Sequence, residues 1–210
     1  MDILRDDARD AAAVLLLAHG SGAPMDSAFM QRMATLIAQR GVTVLRFEFS
    51  YMAARRAGGA RRPPPRAEAL VAEYCEAVAA AAGDAPLLIG GKSLGGRVAS
   101  LVAGWLHEEG RIVGLVCLGF PFHPPGQPDR LRIVSLCRTT VPTLICQGER
   151  DPFGSRTEVE GYSLPQQVRF FWAIDGNHDL VPRRKSGRTA EDNWMAAADA
   201  VASFAGQLVA

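Results

Sequence analysis

Three residues have the types and spacing for nucleophilic catalysis. Ser93 stands in Gly91-Lys92-Ser93-Leu94-Gly95, the pattern G-x-S-x-G. This chemistry needs a serine on a tight strand-to-helix turn, its hydroxyl lifted clear of the sheet. Glycines two before and two after let strand and helix approach without side-chain clash. Asp151 follows in Gly148-Glu149-Arg150-Asp151-Pro152, and His178 in Gly176-Asn177-His178-Asp179. Serine, then acid, then histidine is the chain order in which such an elbow is completed: imidazole as base, carboxylate as its orienter. Each has a plainer reading: an inert serine in a Gly-rich turn, a capping acid before Pro152, a hydrogen-bonded loop histidine. Asp175 and Asp179 are rival acids beside the histidine.

Two other glycine patterns compete. Gly20-Ser21-Gly22 resembles the start of a dinucleotide fingerprint, but its third glycine is replaced by Met25, and Pro24 stands where a helix should open. Gly91-Lys92-Ser93 resembles the tail of a phosphate-binding loop. That loop requires a glycine five positions earlier, where Pro86 stands, so it is rejected.

The elements that must position these residues are legible as alternating apolar runs and helical periods. Strands are predicted at Val14–Ala18, Val42–Phe47, Pro86–Gly90, Ile112–Leu118, Thr143–Cys146 and Arg169–Ile174. Helices are predicted at Ser27–Gln39, Arg66–Ala82, Gly95–Glu108, Asp129–Cys137 and Ala190–Leu208, the last with Thr189 and Asp192 in capping-box spacing. Several strands are apolar on both faces, as buried parallel strands are. The alternation predicts one α/β domain, a mostly parallel sheet with helices on both faces. Ligands of such sheets lie beyond the carboxyl ends of the strands, where Ser93, Asp151 and His178 fall.

Composition narrows the class. The chain has 210 residues, 48% hydrophobic and 21% charged, with a formal net charge of +1, which excludes a disordered chain and gives no support to a nucleic-acid binder. Only Lys92 and Lys185 are lysines beside many arginines, a coding bias that weakens arginine clusters as evidence of anion binding. The longest apolar run, Ala11–Ala18, is too short to span a membrane, and Asp6, Asp7 and Asp10 precede it where a signal peptide would be basic. A cytoplasmic protein without a membrane partner is expected. Cys75, Cys117, Cys137 and Cys146 are widely spaced and read as reduced thiols, not as a disulfide or metal framework. No metal or cofactor is called for.

The chain resembles the α/β-hydrolase superfamily over nearly its whole length. It is more closely similar to a small, lidless, dienelactone-hydrolase-related branch that includes a testis-expressed protein and a subunit of a histone-acetyltransferase complex. The resemblance is carried by His19-Gly20-Ser21-Gly22-Ala23-Pro24-Met25-Asp26-Ser27, Gly91-Lys92-Ser93-Leu94-Gly95-Gly96-Arg97, Gly119-Phe120-Pro121-Phe122-His123-Pro124-Pro125-Gly126 and Gln147-Gly148-Glu149-Arg150-Asp151. It implies a six-stranded sheet in the order 2-1-3-4-5-6, without a lid. Residues 1–12 are then expected as a flexible tail, with the domain at 13–210. It also implies an oxyanion hole from backbone N–H groups at Ser21 and Leu94, with His19 bracing that loop. Gly22, Tyr51, Phe120, Phe122 and His123 are the candidate substrate contacts.

The function expected is a serine esterase or related hydrolase cleaving an ester, thioester or similar acyl bond through a catalytic triad and acyl-enzyme. The alternative is a catalytically weak, hydrolase-like interaction module. The expected partner is a small-molecule acyl substrate. It would be anionic if the mouth is lined by Arg55, Arg56, Arg61, Arg62 and Arg66 and by Arg183, Arg184, Lys185 and Arg188. The alternative for those cations is a solvated, solubilising surface. Oligomeric state is left open.

Overall fold

The computed structural model describes residues 2–60 and 63–209. Its centre is a seven-stranded sheet: β1 (Ile3–Asp6), β2 (Ala13–Ala18), β3 (Val42–Phe47), β4 (Leu87–Lys92), β5 (Gly114–Leu118), β6 (Thr143–Gly148) and β7 (Val168–Ala173). The order is β1-β3-β2-β4-β5-β6-β7, with β2 to β7 parallel and β1 antiparallel to β3. The six strands expected from the sequence are present, in the expected order.

The seventh strand corrects the expected count of six and the expectation of a loose tail ahead of it. Ile3 pairs with Phe47 and Leu4 with Arg46. The Asp6 carboxylate accepts from Arg46 Nη2 at 2.7 Å, and Arg46 Nη1 donates to the Met25 carbonyl at 2.9 Å. Arg46 would otherwise be an unmatched cation in a buried strand, so the charge of Asp6 fastens the edge.

Among the described residues the α-helices are α1 (Ala28–Ala38), α2 (Ser50–Arg56), α3 (Val71–Ala81), α4 (Leu94–Glu108), α5 (Val134–Cys137), α6 (Arg156–Val159) and α7 (Ala190–Val209). Alternation along the central strands sorts the core into two layers. Leu15 and Leu17 of β2 pack with Met33 and Ile37 of α1 and Val201 and Phe204 of α7. Leu16 and Ala18 face the other way, toward Tyr74 of α3 and Val98 and Val102 of α4. Apolar strands buried on both faces therefore require this three-layer arrangement.

Local signals set the helix ends. A 3₁₀ turn at Ala67–Leu70 leads from the proline-rich segment into α3. Thr189 and Asp192 exchange hydrogen bonds of 2.8 and 3.1 Å ahead of α7. α2, which carries Arg55 and Arg56, is a helix that the periodicity does not predict. Between β5 and β6 the only helix is the four-residue α5, so no lid domain is inserted there. Among the described residues no helix is long and apolar enough to cross a membrane.

Candidate active site

β4 runs straight into α4, and Ser93 is the hinge, with φ 51° and ψ −112°. A non-glycine residue at positive φ is strained, and such strain persists only where the surroundings hold it. The surroundings are visible in the two motif glycines. A Cβ on Gly91 would lie 2.6 Å from the Ala18 carbonyl oxygen, and one on Gly95 would lie 2.5 Å from the same atom. The ends of β2 and β4 and the start of α4 converge this closely only because both side chains are missing.

His178 reaches the same edge from the loop after β7. Its Nδ1 lies 2.7 Å from Asp151 Oδ2. Asp151 is wholly buried and accepts two further bonds, from Gln147 Nε2 at 2.9 Å and from the Phe153 N–H at 2.8 Å. The rival acids are engaged elsewhere. Asp179 pairs with Lys92 at 3.2 Å, and Asp175 pairs with Arg150 and Arg183. Donors from Arg183 hold the Asp175 carboxyl well below the usual carboxylate range. Ser93 and His178 line one cavity of about 260 Å³, but among the described residues no hydrogen bond joins them. The nitrogen distal to Asp151, Nε2, is left for the serine, an arrangement that commonly tightens only around substrate.

The loop Gly20–Gly22 crosses in front of Ser93, since a Cβ on Gly20 would lie 3.8 Å from Ser93 Cβ. No protein acceptor engages the N–H of Ser21 or of Leu94 among the described residues. Both are thus available to an external oxygen, and Leu94 opens α4, where the helix dipole is positive. His19 holds this loop from beneath. Its Nδ1 is 2.6 Å from the Gly20 carbonyl, and its Nε2 accepts from the Phe49 N–H at 3.1 Å. Nδ1 must therefore carry the proton, and burial lowers the pKa of the ring, keeping it neutral.

The expected substrate contacts divide. Gly22 lines the cavity with Ser93. Tyr51 instead braces the loop, its hydroxyl 3.4 Å from the Ser21 carbonyl and its pKa pushed up to about 12 by burial. Phe120 and Phe122 are corrected: both are fully buried, their rings 5.0 Å apart, with Phe122 packed on Tyr162 and Phe170. His123 is corrected likewise: it is buried, its Nδ1 bonded to the Pro124 carbonyl and its Nε2 3.6 Å from Glu158. A proline- and aromatic-rich loop at the active edge can be read as substrate wall or as packing, and here it folds inward. Of the arginine loops, Arg66 lines a cavity with Ser93, whereas Arg56 pairs with Asp26 and Glu48 and Arg183 with Asp175. Arg61 and Arg62 lie outside the described residues.

Three residues of the site were not assigned to it from the sequence. Gln147 is wholly buried; its amide donates toward Asp151, while its carbonyl accepts from the Phe120 N–H at 2.8 Å. The Phe153 ring lies 4.3 Å from the His178 ring, centroid to centroid. Lys92, the variable residue before the serine, is buried, donates to the His178 carbonyl at 2.8 Å and lies over the Phe29 ring. Burial lowers its pKa, opposed by Asp179 and Asp151. The position of Gln147 after an apolar strand was a signal for it; nothing local marked the other two.

A strained serine at a strand–helix hinge, over a six-strand parallel core of this order, defines the α/β-hydrolase class. The chain belongs to the α/β hydrolase domain family, which its residues 11–206 match. Solved structures share the fold. A lidless serine hydrolase from Xanthomonas campestris superposes with TM-score 0.67 at 20% identity, covering 97% of this chain and 88% of that one. Est1E from Butyrivibrio proteoclasticus, bound to ferulic acid, gives TM-score 0.70 at 14% identity over 99% and 95%. A dienelactone hydrolase from Anabaena variabilis gives 0.65 at 20% identity over 98% and 89%.

Proposed function

We propose that this protein is a serine hydrolase that cleaves an ester, thioester or related acyl bond of a small molecule. The observation carrying this reading is the 2.7 Å contact of His178 with the buried Asp151, His178 lining the same cavity as the strained Ser93. His178 Nε2 takes the hydroxyl proton as Ser93 Oγ bonds to the substrate carbonyl carbon. The carbonyl oxygen becomes an oxyanion held by the N–H groups of Ser21 and Leu94. Collapse expels the alcohol or thiol, which takes the proton from His178. Water then attacks the acyl-serine, its proton passing through His178 back to Ser93, and the carboxylic acid leaves. Asp151 keeps the Nδ1 proton in place and stabilises the imidazolium. No step calls on a metal or cofactor, and the setting we propose is cytoplasmic.

The second reading is a catalytically weak interaction module, as the resemblance to a histone-acetyltransferase complex subunit suggests. It is favoured by the missing Ser93–His178 hydrogen bond. Hydrolysis of short-chain 4-nitrophenyl esters separates the two. Turnover above background, lost in Ser93→Ala, is expected of the hydrolase; background rates from folded protein would favour the module.

A further inference from the structure

Ser93 lines two cavities, and they differ in charge. In the first, Lys92 is neutralised by Asp179, and Phe29 and Met30 supply apolar wall. The second, about 330 Å³, is bounded by Ser93, Leu94 and Phe153 and by three arginines, Arg66, Arg97 and Arg132. Arg97 donates to Glu68 at 2.8 Å, and Glu68 is more than half exposed. Among the described residues neither Arg66 nor Arg132 pairs with a carboxylate. Three guanidinium groups therefore face one solvated acid. The pKa of Arg132 is lowered by burial and by its neighbours Arg97 and Arg130, with Glu68 opposing.

The sequence tolerates two unfavourable placements to build this wall. Arg97 lies at the start of α4, near the positive end of the helix dipole, and the first turn carries no acid to balance it. Arg132 is partly withdrawn from water beside other cations. Like charges held together beside a nucleophile are relieved by a bound anion, and guanidinium forks match the paired oxygens of carboxylate or phosphate.

We infer that this cavity is an anion subsite: the substrate carries a carboxylate or phosphate group on one side of the bond Ser93 attacks, and Arg66 and Arg132 hold it. The proposal rests on the reading of Ser93 as nucleophile, so its test has one arm that does not. Calorimetry on Ser93→Ala with adipate and with inorganic phosphate measures the subsite without chemistry, and the two ligands distinguish the two anions. Binding of either one, weakened about tenfold or more in Ser93→Ala combined with Arg66→Gln or with Arg132→Gln, is expected. Arg66 is exposed, so its replacement does not threaten folding. The second arm compares kcat/KM for the 4-nitrophenyl esters of adipic and hexanoic acids. The adipate-to-hexanoate ratio should exceed one at low salt and fall about tenfold in Arg132→Gln. Absence of binding by both anions, or binding unchanged in both arginine variants, would overturn the subsite. Anion binding without hydrolysis of either ester would keep the subsite and reject the nucleophile reading.

Discussion

Ser93, the proposed nucleophile, sits at a strained backbone position, φ 51°. Glycine adopts φ 51° without the steric penalty that alanine shares with serine. Ser93→Gly should therefore be more stable than Ser93→Ala by about 1 kcal/mol, read from denaturant midpoints, although both lose activity. Equal stabilities would mean that the turn is unstrained. Asp151→Asn should leave the fold intact and lower kcat by about 10³–10⁴-fold, because an amide in its place can favour the wrong imidazole tautomer. Gln147→Glu would set a second carboxylate where an amide now lies 2.9 Å from Asp151, both wholly buried. Loss of activity and a fall of about 2 kcal/mol or more in stability are expected at neutral pH, since like charges there cannot both ionise without cost. Activity and stability like those of the wild type would exclude the present geometry. Ser93, Asp151 and His178, which the structure brings to one edge, could be read from the sequence because the proposed chemistry restricts residue types and chain order. Phe153 and Lys92 could not, because each acts through a neighbour brought close only by the sheet, and for Gln147 the sole signal was its place after an apolar run.

At the scale of elements, periodicity located the buried strands and long helices because each has an apolar face that must be covered. It failed at β1, where only Ile3 and Leu4 are apolar and Arg5 and Asp6 resemble a solvated tail. The strand is specified from across the edge, by the buried Arg46 of β3. Asp6→Asn removes the partner of that cation and should cost about 2 kcal/mol, below the roughly 3–5 typical of fully buried pairs because Asp6 keeps some solvent. Hydrogen exchange should then accelerate in residues 3–6 before the central strands. Unaltered protection at this edge would show that Asp6 does not hold it. The proline- and aromatic-rich segment after β5 departs from expectation for a related reason. Sequence places it at the active edge, but only packing against Tyr162 and Phe170 decides which way its rings turn.

At the scale of the whole molecule, one buried cation ties the end of β4 to the loop after β7. Lys92 holds both the His178 carbonyl and the Asp179 carboxylate, so the His178 loop is registered against Ser93, the residue that follows Lys92. Burial lowers the pKa of Lys92 from the ordinary 10.5. Between its folded value and 10.5 the unfolded chain holds the extra proton, so stability conferred through Lys92 rises with pH in that window. Lys92→Met should abolish this rise while lowering kcat more than it raises KM. A variant with the wild-type pH slope would show that Lys92 is not the group responsible. Whether Ser93 is a nucleophile activated by His178 is decided by labelling the active site with a fluorophosphonate, followed by mass spectrometry. One covalent adduct is expected, located on Ser93 by peptide mapping and lost in His178→Ala; a folded wild-type protein that takes up no label, or one that labels equally without His178, would refute the activation of Ser93 by His178.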